Sequence, residues 1–290
     1  MNQSSLKAAL AEYGLYPNKR LGQHFLVSEK IRNRIIDAIS PHVSDKVLEI
    51  GPGLGALTEL LVERAGSVTA VEIDAGFVRY LASRFSGVKS FALVHGDILR
   101  VEVGDDFTLI VSNLPYYCAS EILFRLARLS APRMFVMLPD DIAERITSLP
   151  GSRSYGAVSV TISLYYDTTI LFSVPRDAFY PRPDVRSAFI SLKRRVPLPL
   201  ENQRLAAFHD LVRSAFWGRR KTIAKALAES PHLDLSREEA EALLAATGID
   251  SRARGEDLSV EDYIALARAF GETRPAMGEK CRDRRAEGEI

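Results

Sequence analysis

Apolar residues fall at two spacings along this chain. In "EKIRNRIIDAIS" Ile31, Ile35 and Ile39 recur at the period of a helix with one buried face. "KVLEIG", "SVTAVEID", "FALVHGD", "FTLIVSN" and "RMFVML" are instead short, nearly continuous apolar runs, the pattern of strands covered on both faces. Between the runs lie helical segments: "LTELLVERAG", closed by Gly66, then "AGFVRYLASRF", "SEILFRLARLS" and "DIAERITSL". Strands alternating with helices predict an α/β fold with a parallel sheet. After Gly156, "AVSVTISLYYDTTILFSVP" and "VRSAFISLKRR" predict antiparallel strands added to that sheet. The proline-punctuated "RRVPLPLENQ" reads as a linker, and the segments beyond it, "RLAAFHDLVRSAFWGRRKTIAKALAES", "SREEAEALLAAT" and "SVEDYIALARAF", read as helical. The boundaries drawn from this pattern are 1–195 for the α/β domain and 196–271 for a small helical domain. The charge-rich tail, 272–290, is expected to be disordered.

Composition narrows the class. A net charge of +1 over 290 residues advertises no polyanionic partner, so any nucleic-acid contact must come from local clusters of positive charge. Two cysteines, Cys118 and Cys281, make no disulfide framework and fit a reducing cytoplasm. The five histidines are scattered without metal-ligand spacing, so no metal is expected. The first twenty residues lack the apolar core of a signal peptide, and no run approaches the roughly 20 apolar residues of a membrane span.

The candidate chemistry sits at strand ends. "VLEIGPGLGALT" places Gly51, Gly53 and Gly55 between a strand and its helix, where glycine lets the backbone turn tightly and approach a ligand. Glu49 precedes the loop, Glu72 ends the next strand and Asp97 follows the third. All three acids fall at carboxyl ends of parallel strands, where open α/β sheets bind ligands. The loop does not match the dinucleotide pattern Gly-x-Gly-x-x-Gly, and no Lys-Ser/Thr follows to make a phosphate loop. An adenosine-containing ligand without a phosphate chain fits better. S-adenosylmethionine is such a ligand, and its ammonium group suits nearby acids.

With "SNLPYY" after the fourth strand, the set resembles amino-group methyltransferases. "LGQHFL", "LEIGPGLGALT", "VEID", "HGDIL", "SNLPYY", "FYPRPDVRSAF" and "FWGRRKTIAKAL" follow in one order. From about Asn18 to Phe270 the chain resembles the KsgA family of small-subunit (16S) rRNA adenine N6,N6-dimethyltransferases. The resemblance implies a Rossmann-like, S-adenosylmethionine-dependent methyltransferase domain with a small all-helical C-terminal domain. By motif position it implies a cofactor site of His24, Leu26, Glu49, Gly51, Gly53, Gly55, Glu72, Ile73, Asp97, Ile98 and Asn113. Gly51 would meet the methionine part, Glu72 the ribose and Asp97 the adenine amino group. The family often carries Asn where His24 stands, and commonly a Gln-Lys pair where this chain has Pro139-Asp140.

These residue types suit the reaction. An exocyclic adenine amine is a poor nucleophile because its lone pair is delocalised into the ring. Two acceptors on its N–H groups, the Asn113 side-chain oxygen and the Leu114 carbonyl, would expose that lone pair. Pro115, with fixed φ, stiffens the turn that aims them. Tyr116 offers a face for the base, with stacking worth roughly 1–3 kcal/mol. Phe179 is expected to stack there as well, and Tyr117 to pack at the strand end. Arg219, Arg220 and Lys221 are expected to contact RNA phosphates.

The leading expectation is a monomeric cytoplasmic enzyme that dimethylates two adjacent adenosines near the 3′ end of small-subunit rRNA within a pre-30S particle. The alternatives are a large-subunit rRNA methyltransferase of the macrolide-resistance type and a non-catalytic ribosome assembly factor.

Overall fold

The computed structural model describes residues 3–18, 21–218 and 220–273. The described residues divide into two compact units, one drawn from 1–147 and 166–194, the other from 148–165 and 195–273. In chain order the first unit begins with α1 (Gln3–Glu12), β1 (Phe25–Leu26), α2 (Glu29–Ile39), β2 (Lys46–Ile50), α3 (Thr58–Arg64) and β3 (Ser67–Glu72). It continues through α4 (Ala75–Arg84), β4 (Phe91–His95), β5 (Leu109–Asn113), α5 (Ala119–Ala127), β6 (Arg133–Pro139) and α6 (Asp140–Thr147). Helix α7 (Ala157–Tyr165) belongs to the second unit. The chain then adds β7 (Tyr166–Val174), β8 (Phe179–Tyr180) and β9 (Ser187–Arg194) to the first. Helices α8 (Leu205–Phe216), α9 (Ile223–Glu229), α10 (Arg237–Ala246) and α11 (Val260–Thr273) follow in the second.

The main sheet runs β4-β3-β2-β5-β6-β9-β7. Its first five strands are parallel, while β9 lies antiparallel to both β6 and β7. From β2 the chain moves outward through β3 and β4, then returns to β5 on the other side of β2. That reversal opens a crevice beyond the carboxyl ends of β2 and β5, the usual ligand position in such sheets. Ile31, Ile35, Ile36 and Ile39 of α2 pack with Leu61, Val68, Leu109 and Val111 beneath it. Each such side chain contributes about 1.5–3 kcal/mol by leaving water. A second small sheet pairs β1 with β8, Phe25 opposite Tyr180 and Leu26 opposite Phe179. It ties the "GQHFL" segment to the "FYPRPDV" segment, which nothing in the local pattern foretells.

The structure corrects four local readings. The run 157–165, expected as strand, is the helix α7. Gly156 N–H donates to Ser159 Oγ at 3.0 Å, and Val160 N–H to the Gly156 carbonyl at 3.2 Å, to start it. Most of its residues are buried, Ser159 and Thr161 included. Apolar and polar residues alternate strictly from Val158 to Leu164, the period of a strand, and packing overrides that local signal by burying Ser159 and Thr161 along with the apolar positions. This helix also moves 148–165 into the second unit, away from the α/β domain drawn as 1–195. Gly66 does not close α3, which ends at an extended Ala65. A Cβ on Gly66 would lie 2.3 Å from the Val43 carbonyl oxygen, so that glycine serves close approach. The long helical reading from Arg204 breaks into α8 and α9 between Trp217 and Thr222. Of the expected disordered tail, 274–290 lies outside the described residues.

Buried hydroxyls in the second unit reach backbone carbonyls: Tyr263 to Gly255 at 2.9 Å, and Tyr155 to Leu258 at 2.9 Å. Phe216 stacks on Tyr263 with ring centroids 6.3 Å apart.

Candidate functional site

The crevice is an open cleft of about 940 Å³, its mouth included. The loop after β2 forms its floor, through Gly51, Pro52 and Gly53. Glu72 and Ile73 enter from the end of β3, Asn113–Tyr117 from the end of β5, Leu21–Leu26 from the N-terminal segment, and Leu6 from α1. Gly51 and Gly53 have φ of +65° and +57°, which side-chain-bearing residues rarely adopt. A Cβ on Gly53 would meet the Phe25 ring at 3.0 Å, whereas one on Gly51 would project into open space. Ile73 keeps 45% of its surface exposed, an apolar face presented to the cleft.

The two cleft acids are held differently. Glu72 accepts the Gly53 N–H at 3.0 Å on one oxygen and the Asp74 N–H at 2.9 Å on the other. Burial raises its pKa, with the Asp74 and Gly53 N–H groups pulling against that rise. Each carboxylate oxygen still has a second lone pair for a ligand hydroxyl. Glu49 is only 2% exposed, and its Oε2 is buried without a hydrogen-bond partner. Burial pushes its carboxyl up to about 7; the Thr58 hydroxyl opposes this and the Glu72 charge adds to it. An acid poised near neutrality with an empty acceptor is prepared for a cation.

The end of β5 is aimed by contacts from afar. The Asn113 side-chain N–H donates to the His24 carbonyl at 2.9 Å, which orients the amide and leaves Asn113 Oδ1 buried and unpartnered. Leu114 N–H donates to the Met137 carbonyl at 2.9 Å, tying the turn to β6. Ser112 Oγ donates to the Ile50 carbonyl at 2.9 Å, stitching the ends of β5 and β2 together. His24 bonds the Pro181 carbonyl through Nδ1 at 2.8 Å, so that nitrogen carries the proton. The His24 ring centroid lies 5.2 Å from that of Tyr116. The Tyr116 hydroxyl is hydrogen-bonded to the fully buried Ser187 Oγ. Burial raises that hydroxyl's pKa, Ser187 works against it, and the Asp140 charge adds to it.

Ten residues anticipated from sequence line this one cleft: His24, Leu26, Glu49, Gly51, Gly53, Glu72, Ile73, Asn113, Leu114 and Tyr116. Four others stand apart. Gly55 packs toward α4, where a Cβ would touch Leu81 and Phe85 at 3.2 Å. Ile98 is buried outside the lining. Asp97 accepts the Leu99 N–H at 2.9 Å in the turn after β4. Its charge is felt at Cys118, whose thiol is raised by burial first and then by Glu121 and Asp97. Phe179 does not present a stacking face in this structure. It is 3% exposed, pairs with Leu26 and joins the core beneath the sheet. An aromatic there saves more free energy by burial than by waiting in water for a base.

Tyr117 corrects its reading in the other direction. Expected as packing, it is 61% exposed at the cleft, with its ring beside Gly22. Ser187, Gln23 and Leu6 were not anticipated: Gln23 and Ser187 lie inside "LGQHFL" and "FYPRPDVRSAF", but which residues of those stretches reach the cleft or Tyr116 is decided by contacts across the fold. Of the basic cluster, Arg219 lies outside the described residues. Arg220 is exposed, and Lys221 pairs with Glu229 at 2.8 Å.

The cleft fits an adenosine-bearing cation. It offers a carboxyl with one unpartnered oxygen, a second acid for hydroxyls and an apolar face, and among the described residues no Lys or Arg lines it to meet a phosphate. Fold and site together define a Rossmann-like, S-adenosylmethionine-dependent methyltransferase that acts on an amine. Comparison with known proteins is narrower still. The chain belongs to the ribosomal RNA adenine dimethylase family, whose model matches residues 15–271. It is 37% identical over 273 residues to the Ribosomal RNA small subunit methyltransferase A of Geobacillus sp. (strain WCH70), covering 90% of this chain and 94% of that one. Among solved structures it is similar to a dimethyladenosine transferase from Plasmodium falciparum, with a TM-score of 0.75 and 23% identity over 86% of this chain and 98% of the other. It is also similar to the 23S rRNA methyltransferase ErmE, with a TM-score of 0.63 and 27% identity over 84% and 98%.

Proposed function

We propose that this protein dimethylates the N6 amino groups of two adjacent adenosines near the 3′ end of small-subunit rRNA, within a pre-30S particle in the cytoplasm. The observation that carries the chemistry is Asn113 Oδ1, a buried acceptor with no partner, oriented by the His24 carbonyl. A buried polar atom without a partner costs about 1–3 kcal/mol, so its retention points to a ligand donor. The N–H of a target amine is such a donor. In the first transfer Asn113 Oδ1 and the Leu114 carbonyl accept the two amine hydrogens and turn the nitrogen lone pair out of conjugation. In the second the one remaining N–H is held the same way, and after each transfer the methylated nitrogen gives up its proton to water. Tyr116, anchored through Ser187, offers its ring face to the base.

When bound, S-adenosylmethionine supplies a methyl group on a sulfonium, a good leaving group. Glu49 holds the ligand's ammonium and Glu72 its ribose hydroxyls. The protein's main task is to keep nitrogen, carbon and sulfur in line, which places much of the rate in positioning. The target base must be unpaired or turned out of its stack to enter the cleft. The small-subunit target is supported by 34–37% identity, over about nine-tenths of the chain, to small-subunit methyltransferases.

The test is methyl transfer from radiolabelled S-adenosylmethionine to three substrates: under-methylated 30S particles, naked small-subunit rRNA and large-subunit rRNA. Mapped dimethyladenosine on the small-subunit substrates is the expected result. Label on large-subunit rRNA alone would replace the target, and particle binding without transfer would leave only an assembly role.

A further inference from the structure

Helix α8 ends at Phe216, and the next residue, Trp217, is 55% exposed. Trp217 keeps helical dihedrals, φ −58° and ψ −31°, so it continues the helix face on which Arg213 sits one turn earlier. His232 meets its ring edge to face, with centroids 5.5 Å apart and planes at 88°. That contact props the indole without covering it. Between Arg213 and Lys225 the chain carries five basic residues and no acidic one. Of these, Arg213, Arg220 and Lys225 are exposed. Lys221 lays its stem beside Gly218 and pairs with Glu229, which also meets Lys225 at 3.7 Å.

A single exposed aromatic needs no explanation by itself. A propped, half-exposed indole among exposed cations is another matter, because it has the two parts of a single-strand nucleic-acid site: a flat face for a base and positive charge for the flanking phosphates. We propose that Trp217 is a stacking platform for an unpaired base of the RNA substrate, with Arg213 and Arg220 on the phosphates beside it. This rests on the rRNA reading above, adds a second base contact to the one in the cleft, and assigns it to a residue outside the methyl-transfer machinery. A base–aromatic stack is sequence-tolerant, so the platform grips RNA without choosing the methylated adenosine.

Trp217 is the chain's one tryptophan, so its fluorescence reports on this site alone. The full chain is titrated with a single-stranded oligoribonucleotide, a duplex RNA of equal length, and naked small-subunit rRNA. Expected are strong quenching by the single strand and the rRNA, weak quenching by the duplex, and loss of quenching as salt rises. In parallel, Trp217→Ala should bind the single strand about tenfold more weakly, while Trp217→Phe stays within about twofold of wild type. Wild-type emission unchanged by saturating single-stranded RNA would overturn the platform, as would equal affinities for the Ala and Phe variants. If emission instead shifts only with intact 30S particles and never with naked RNA, Trp217 faces a protein and the proposal also falls. Methyl transfer measured on the same preparation separates the outcomes: transfer without quenching removes the platform and keeps the proposed function, whereas quenching without transfer does the reverse.

Discussion

At the end of β5 the polar groups are few, buried and short of a partner. Around the turn between α8 and α9 the charged groups Arg220, Lys221 and Lys225 lie at or near the surface, in water or in ion pairs with Glu229. Asn113 Oδ1 and Glu49 Oε2 each lack a hydrogen bond at near-complete burial, a state the surrounding fold must hold against its cost. Arg220 and Lys225 carry no such cost, and salt bridges as exposed as Lys221–Glu229 contribute about 0–1 kcal/mol. The difference follows from the task. Polarising one amine needs acceptors fixed before the substrate arrives, whereas gripping a polyanion needs charge whose exact placement matters little.

The sharpest way to break that contrast is Asn113→Ala. Turnover should fall about 100-fold or more, the size seen when one preorganised polar group is removed from a reacting centre, with S-adenosylmethionine affinity within a few-fold of wild type. Calorimetry and single-turnover transfer read the two separately. Wild-type turnover would show that the unpartnered oxygen has no chemical role.

Glu49→Gln tests the other buried atom. Because the folded carboxyl titrates near 7, above its ordinary 4.5, its favourable contribution is full below about pH 4.5 and is lost as pH rises through 7. The ionised form therefore destabilises the ligand-free protein by an amount on the order of 3 kcal/mol at pH 8. The variant should have a higher Tm than wild type at pH 8, little difference at pH 5, and roughly tenfold weaker cofactor binding. Wild-type cofactor binding near pH 7 should release a proton, visible as a buffer-dependent heat that the variant lacks.

A smaller effect is expected at the anchor of Tyr116. Ser187→Ala and Tyr116→Phe should each lower kcat about tenfold or less, and the double variant should be no worse than the single Tyr116→Phe. Additive losses in that cycle would mean that Ser187 does not act through the tyrosine. Smallest of all are changes in the turn. Arg220→Ala should weaken RNA binding a few-fold and reduce the salt slope by about one phosphate contact, without changing which adenosines are methylated. Lys221→Ala should do less, since its ammonium is already engaged by Glu229.

Much of this protein is written in short stretches of its chain. Alternating apolar runs and amphipathic helices determine the five parallel strands, because burial on both faces leaves a local mark. The glycine loop, Glu49, Glu72 and "SNLPYY" announce themselves at strand ends, because special dihedrals and exposed acceptors demand particular residues there. What the sequence left undecided was settled by contacts between distant segments. Nothing near Phe179 says that β1 will pair with β8 and draw its ring into the core. The strict alternation from Val158 to Leu164 points to a strand, and α7 is a helix only because packing in its own unit buries Ser159 and Thr161 with the apolar positions. Whether Asn113 holds a free acceptor likewise depended on a carbonyl 89 positions earlier in the chain. Local patterns record which surfaces must leave water. Which polar atom stays without a partner is a property of the closed hydrogen-bond network, and that exists only once the fold is complete.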